Sequence, residues 1–154
     1  MLAGQKKDFL SKDFPELLKK LNGNEKGKWG VMTAQQMVEH FADAVKNASG
    51  KLVLPQLNTG EKLEKFRGFL MSDTSFQPNT RNPLMNEEGD ALRQLDMQAA
   101  IEKLQKELIY FFDIFDSKPG YQSINPFFGE LDYEMNLQLL YKHALHHLSQ
   151  FGLP

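Results

Sequence analysis

Cysteine is absent from the 154 residues. Disulfide scaffolds, thiolate zinc sites and cysteine nucleophiles are excluded with it. No apolar run approaches the ~20 residues that a membrane span needs, so no membrane partner is expected. The opening residues, Met1-Leu2-Ala3-Gly4-Gln5-Lys6-Lys7-Asp8, carry no apolar secretory core, and a cytoplasmic location is expected. A surplus of one charge is lacking too: 18 Lys and Arg stand against 20 Asp and Glu, a net charge of −2. A binder of phosphate backbones needs a basic footprint, so no nucleic acid is expected as the main partner. β-Branched residues are scarce, with 12 Val, Ile and Thr against 29 Leu and Met. Unbranched side chains keep rotamer freedom in a helix, whereas strands favour branched ones. There is no P-loop, no dinucleotide fingerprint and no Ser-His-Asp order.

What is present is enough for one core. Leu, Ile, Val and Phe number 42, which excludes disorder for most of the chain. The length fits a single domain over residues 1–154. Leu10, Phe14, Leu17, Leu18 and Leu21 trace one face of a first helix, with Asp13 as its cap and Pro15 in its first turn. Asn22-Gly23-Asn24 ends it. Thr33-Ala34-Gln35-Gln36 reads as a capping box that opens a second helix, striped by Met37, Phe41, Ala44, Val45 and Ala48 and ended by Gly50. A short helix is expected from Thr59 to Met71. The 72–93 connection is long, and loops of that length are usually functional or mobile. Met97, Ile101, Leu104, Leu108, Phe111, Phe112 and Phe115 mark a third helix from Asp96 to a stop before Lys118-Pro119-Gly120. An aromatic loop, Asn125-Pro126-Phe127-Phe128-Gly129, precedes a fourth helix capped by Asp132 and ended at Gly152. Four amphipathic helices with almost no strand signal predict an all-α four-helix bundle. The long link between helices 2 and 3 predicts a crossover and an up-down-down-up order.

The four histidines are the least random feature. His143, His146 and His147 fall within five positions, and His40 lies in the second helix. At about 100° per residue, His147 lies about 60° and His143 about 100° from the centre of the fourth helix's apolar stripe. His146 lies at about 160° and is expected to point outward. His40 lies about 80–90° from the centre of its own stripe. The i, i+4 pair can share a metal ion, and His40 from a facing helix would complete a three-histidine set. Three neutral nitrogen ligands suit Zn²⁺, Ni²⁺ or Fe²⁺ and leave positions open for water or substrate. The ordinary reading stands beside this one: a border histidine is often a hydrogen-bonded packing residue, and a histidine cluster on a terminal helix is often a solvated face. The pair is not a zincin motif, because Ala144 stands where glutamate is needed.

The segment Trp29-Gly30-Val31-Met32-Thr33-Ala34-Gln35-Gln36-Met37-Val38-Glu39-His40 resembles the "W-x-M-(T/S)-x-x-Q-M-x-x-H" entry to the second helix of the DinB/YfiT-like superfamily. Asn125-Pro126-Phe127-Phe128-Gly129, together with the stretch from Tyr141 to Gly152, is similar to the end of a branch known mainly as a domain of unknown function. That end reads roughly "H-P-F-F-G … K-H-x-x-H-H-x-x-Q-F-G". Asn125 stands where the branch often has His; Leu148 and Ser149 replace the Arg and Gly of the broader "H-R-G-Q" ending. The resemblance implies a DinB/YfiT-like bundle with a divalent metal, zinc or nickel, on His40, His143 and His147. It carries His146 over as a motif position without a ligand role.

Further site candidates are Asn136 and Gln150, seven residues either side of His143, as orienting partners for imidazoles. Asp43, one turn after His40, reads rather as an ordinary polar helix residue. Trp29 lines a pocket mouth or packs the corner between the first two helices. Phe127 and Phe128 wall the site or plug the core end. Relatives in the superfamily include transferases and isomerases that use a low-molecular-weight thiol. The resemblance therefore implies a metal-dependent, thiol-dependent transferase, with a small-molecule thiol and an electrophile as substrates; a metal-dependent hydrolase is a variant. The alternative is a non-catalytic metal-binding or stress-response module that forms a homodimer.

Overall fold

The computed structural model describes residues 1–78 and 89–154. It is predominantly helical, as the composition implies. Residues 79–88 of the 72–93 connection lie outside the described residues. Among the described residues, no helix is long and apolar enough to cross a membrane.

The first helix differs from its expectation. It begins at Ala3, not near Asp13. It runs as α1 (Ala3–Asp8), a π turn (Phe9–Asp13) and α2 (Phe14–Leu18). Asp13 is no cap: its backbone is helical and its side chain bonds no free N–H. The reason lies at Pro15. The wide turn closes with the Phe14 N–H on the Phe9 carbonyl, and Pro15, which has no N–H to place, follows directly. Leu10, Phe14 and Leu18 are fully buried along this face.

The other caps are where the sequence puts them. In α3 (Ala34–Ser49) the Thr33 hydroxyl accepts from the Gln36 N–H at 3.3 Å, and the Gln36 side chain accepts from the Thr33 N–H at 2.8 Å. Gly50 ends α3 at φ +88°, where a side chain would collide with the Tyr121 hydroxyl. A short α4 (Gly60–Met71) follows. Asp96 caps α5 (Met97–Ser117) through the Ala99 N–H, and Asp132 caps α6 (Tyr133–Gln150) through the Met135 N–H.

Side-chain bonds set the relative directions. Gln35 and Glu39, early in α3, hold Gln94 and Arg93 just ahead of α5. At the far end, Lys51 reaches Glu107 at 2.6 Å, and the Tyr121 hydroxyl donates to the Ser49 carbonyl. So α3 and α5 run the same way. Lys6 bonds Gln138, and Phe9 stacks edge-on against Tyr141, so the first helix and α6 also run together. The main core lies between these segments, with Phe14, Phe41 and Phe111 fully buried.

Two short strands are an addition to the expected fold. β1 (Ser123–Asn125) pairs antiparallel with β2 (Gly129–Leu131), Asn125 opposite Gly129. The "aromatic loop" is their turn, closed by the Asn125 carboxamide oxygen, which accepts from the N–H groups of Phe127 and Phe128. Strands of three residues are too short to show a period. α4 clamps this hairpin: Arg67 donates to the carbonyls of Phe128 and Glu130, both at 2.7 Å. Leu70, Phe128, Leu131 and Leu139 form a second apolar cluster beneath it.

Candidate metal centre

His40 reaches the site from the edge of α3. Met37, Phe41 and Val45 face the core on that helix, so position 40 falls at the border of the stripe. His143 and His147 stand one turn apart on α6, beside the buried Ala144 and Leu148. The three rings meet. Their centroids lie 5.2 Å apart for His40 and His143, 5.6 Å for His40 and His147, and 4.5 Å for His143 and His147. One nitrogen from each lies within 4.8 Å of the others, a set that could hold one metal ion. Nε2 of His147 faces Nε2 of His143 at 2.7 Å. Among the described residues, no carboxylate joins this group.

Burial fixes the charge state of the cluster. His147 is buried, while His40 and His143 are partly accessible. Desolvation pushes His147 down to about 3, helped by the neighbouring His40. His143 falls well below its ordinary value, first through burial and then through His147 and His40. Burial also lowers His40, against the opposing carboxylates of Asp43 and Asp90. All three rings are therefore neutral near pH 7. A neutral imidazole has one lone pair, the form a metal ligand requires.

Two phenylalanines border the cluster. The Phe41 ring lies 4.8 Å from His143 and 6.4 Å from His147. Phe76 lies 6.5 Å from His143 on another side. Among the described residues, a small cleft beside His40 is lined by Met32, Gln36, Asp90, Ala91 and Arg93.

The remaining expected site residues divide. Gln150 is buried and bridges His147 to the Trp29 carbonyl. Trp29 packs its ring on His146 at 5.7 Å. His146 does not point into solvent: it is half-buried between Trp29 and Phe76, with Phe76 at 6.2 Å. The helical arithmetic holds for an isolated helix, but the chain around Trp29 and the segment after α4 fold over this side of α6. Asn136 does not serve the histidines. Its amide pins the hairpin through Ser123 Oγ and the carbonyls of Leu131 and Asp132. Two helical turns, ~11 Å along the axis, separate positions 136 and 143. Phe128 is buried in the second cluster with Leu70 and Leu131. Asp43 pairs with Arg93 at 2.8 Å.

Phe41, Phe76 and Lys142 were not singled out from the sequence. Phe41 had a signal, since it follows His40 directly on the stripe. Lys142 had none. It is buried, and its ammonium donates to the Phe69, Leu70 and Ser72 carbonyls, capping the end of α4 beside the site. It also lies 4.1 Å over the Phe69 ring. No family model, curated protein or solved structure matches the chain.

Proposed function

We propose that His40, His143 and His147 hold one divalent cation, zinc or nickel, in a DinB/YfiT-like four-helix bundle. In this reading the first helix, α3, α5 and α6 form the bundle in up-down-down-up order, and α4 lies on the crossover. One observation carries the metal reading: three neutral imidazole nitrogens from two separate helices lie within 4.8 Å of one another. The Nε2 atoms of His143 and His147 face each other at 2.7 Å, where a proton on one ring or a cation shared by both can join them. Nitrogen donors without thiolate or carboxylate suit zinc and nickel.

The reaction class this site serves best is transfer of a low-molecular-weight thiol to an electrophilic small molecule. When bound, the cation supplies the positive charge that lowers the proton affinity of a coordinated thiol. Three protein ligands leave room for such a ligand. Phe41 and Phe76 stand beside the cluster, and a small cleft lies next to His40. A non-catalytic metal-binding homodimer is the second reading. What favours it is the lack, among the described residues, of a carboxylate within the histidine group.

Elemental analysis of protein supplied with metal tests the first step. About one ion per chain is expected, lost in His143→Ala and His147→Ala; a metal-free wild type would overturn the assignment. Incubating the loaded protein with a panel of cellular thiols and monochlorobimane tests the second. Turnover above a His147→Ala control supports the transferase. Its absence, with no hydrolysis either, leaves the binding module.

A further inference from the structure

The side chain of Gln150 is bonded at both ends of its amide. One end meets the Trp29 carbonyl at 3.0 Å, and the other meets Nδ1 of His147 at 2.7 Å. A backbone carbonyl only accepts, so the end at Trp29 is the NH₂ group. The end at His147 is then the oxygen, which also only accepts. Nδ1 of His147 must therefore carry that ring's proton. A neutral imidazole has one such proton, so the lone pair sits on Nε2, the nitrogen that faces His143.

The chain around Gln150 is shaped to this amide. Gln150 is only 3% exposed. Its own carbonyl accepts from the Lys28 N–H at 2.7 Å. A Cβ on Gly27 would lie 2.9 Å from the Gln150 Cγ and 3.0 Å from the Trp29 carbonyl oxygen. Gly30 has φ +79°, and a Cβ there would lie 2.9 Å from the Gln150 Nε2. Residues 27–30 thus close on the amide at a distance only glycine allows.

We propose that Gln150, clamped by the turn around Trp29, is a positioning residue that selects the Nδ1–H tautomer of His147 and turns its Nε2 lone pair to the metal. The inference rests on the metal reading above. It makes Gly27 and Gly30 part of the site's machinery although neither touches a histidine. The turn between the first helix and α3 thereby governs cation affinity at a site built by α3 and α6.

Nitrogen-15 NMR of the metal-free protein reads the tautomer without any metal, and zinc titration reads the affinity. Wild type is expected to show His147 protonated at Nδ1. Gln150→Leu is expected to admit the Nε2–H form and to weaken zinc binding about 10–100-fold. Gln150→Glu keeps an acceptor at Nδ1 and should restore the wild-type tautomer. Gly30→Ala leaves Gln150 in the chain but crowds its amide; a partial shift in both readouts is expected, and this variant carries the test should Gln150→Leu fail to fold. His147 protonated at Nε2 in the wild type would overturn the clamp. So would a folded Gln150→Leu protein with unchanged tautomer and zinc affinity. If wild type binds no zinc yet shows a Gln150-dependent Nδ1–H tautomer, the metal reading falls and the tautomer clamp stands.

Discussion

Glu39 shows at the scale of one residue how this chain fastens its irregular parts. It sits beside His40, and its side chain is buried. One carboxylate oxygen accepts from the Arg93 N–H at 2.8 Å. The other accepts from the Gln94 N–H at 3.2 Å and from the Gln35 amide at 3.1 Å. Glu39→Ala would leave backbone donors without partners, at a cost of about 1–3 kcal/mol. A lower urea midpoint and faster amide exchange at Arg93 and Gln94 are the expected readouts; wild-type exchange there would refute the role. Nothing in the sequence marked Glu39, because the backbone groups it holds, at Arg93 and Gln94, lie more than fifty positions away. The histidines were legible for the opposite reason. Their i, i+4 spacing is local, so the shared face of His143 and His147 follows from the helical repeat alone. His146 was misread because the same repeat cannot say what folds over the helix from outside.

Elements reveal themselves in proportion to how much of their signal is local. Thr33, Asp96 and Asp132 cap the helices that the sequence assigns them, since each cap is a bond across three residues. Thr33→Ala is expected to cost about 1 kcal/mol, read as a shift in the denaturation midpoint. No loss would mean that Gln35 and Gln36 hold the start of α3 without the hydroxyl. The first helix broke the rule. Asp13 and Pro15 look like a start, yet the chain passes through them, because a π turn absorbs the missing proline bond. The hairpin was illegible too. What holds its short strands is a turn, an arginine from α4 and Asn136 from α6, none of which shows as a pattern inside the strands.

At the scale of the whole molecule, burying three neutral imidazoles ties stability to pH. His143 and His147 bind protons much less readily folded than their ordinary value near 6.5, and His147 lies at about 3. Below about pH 6.5 the unfolded chain therefore takes up protons that the folded one refuses. Stability of metal-free protein is expected to be full above that pH and to fall as pH drops towards 3, by about 1.4 kcal/mol per pH unit from His147, with His143 adding to the fall. Urea midpoints between pH 4 and 7.5 check this. A flat profile would show that the rings protonate without leaving their places. The sequence by itself determined the helical composition, the stripes that turn Phe14, Phe41 and Phe111 inward, and the pairing of His143 with His147. Each of these needs only a periodic chain and the removal of apolar surface from water. The tertiary structure alone decided that His40 meets that pair, that Asn136 and Phe128 belong to the hairpin, and that Trp29 and Phe76 cover His146. Those outcomes depend on bonds between residues distant in the chain, and no repeat along the sequence records them.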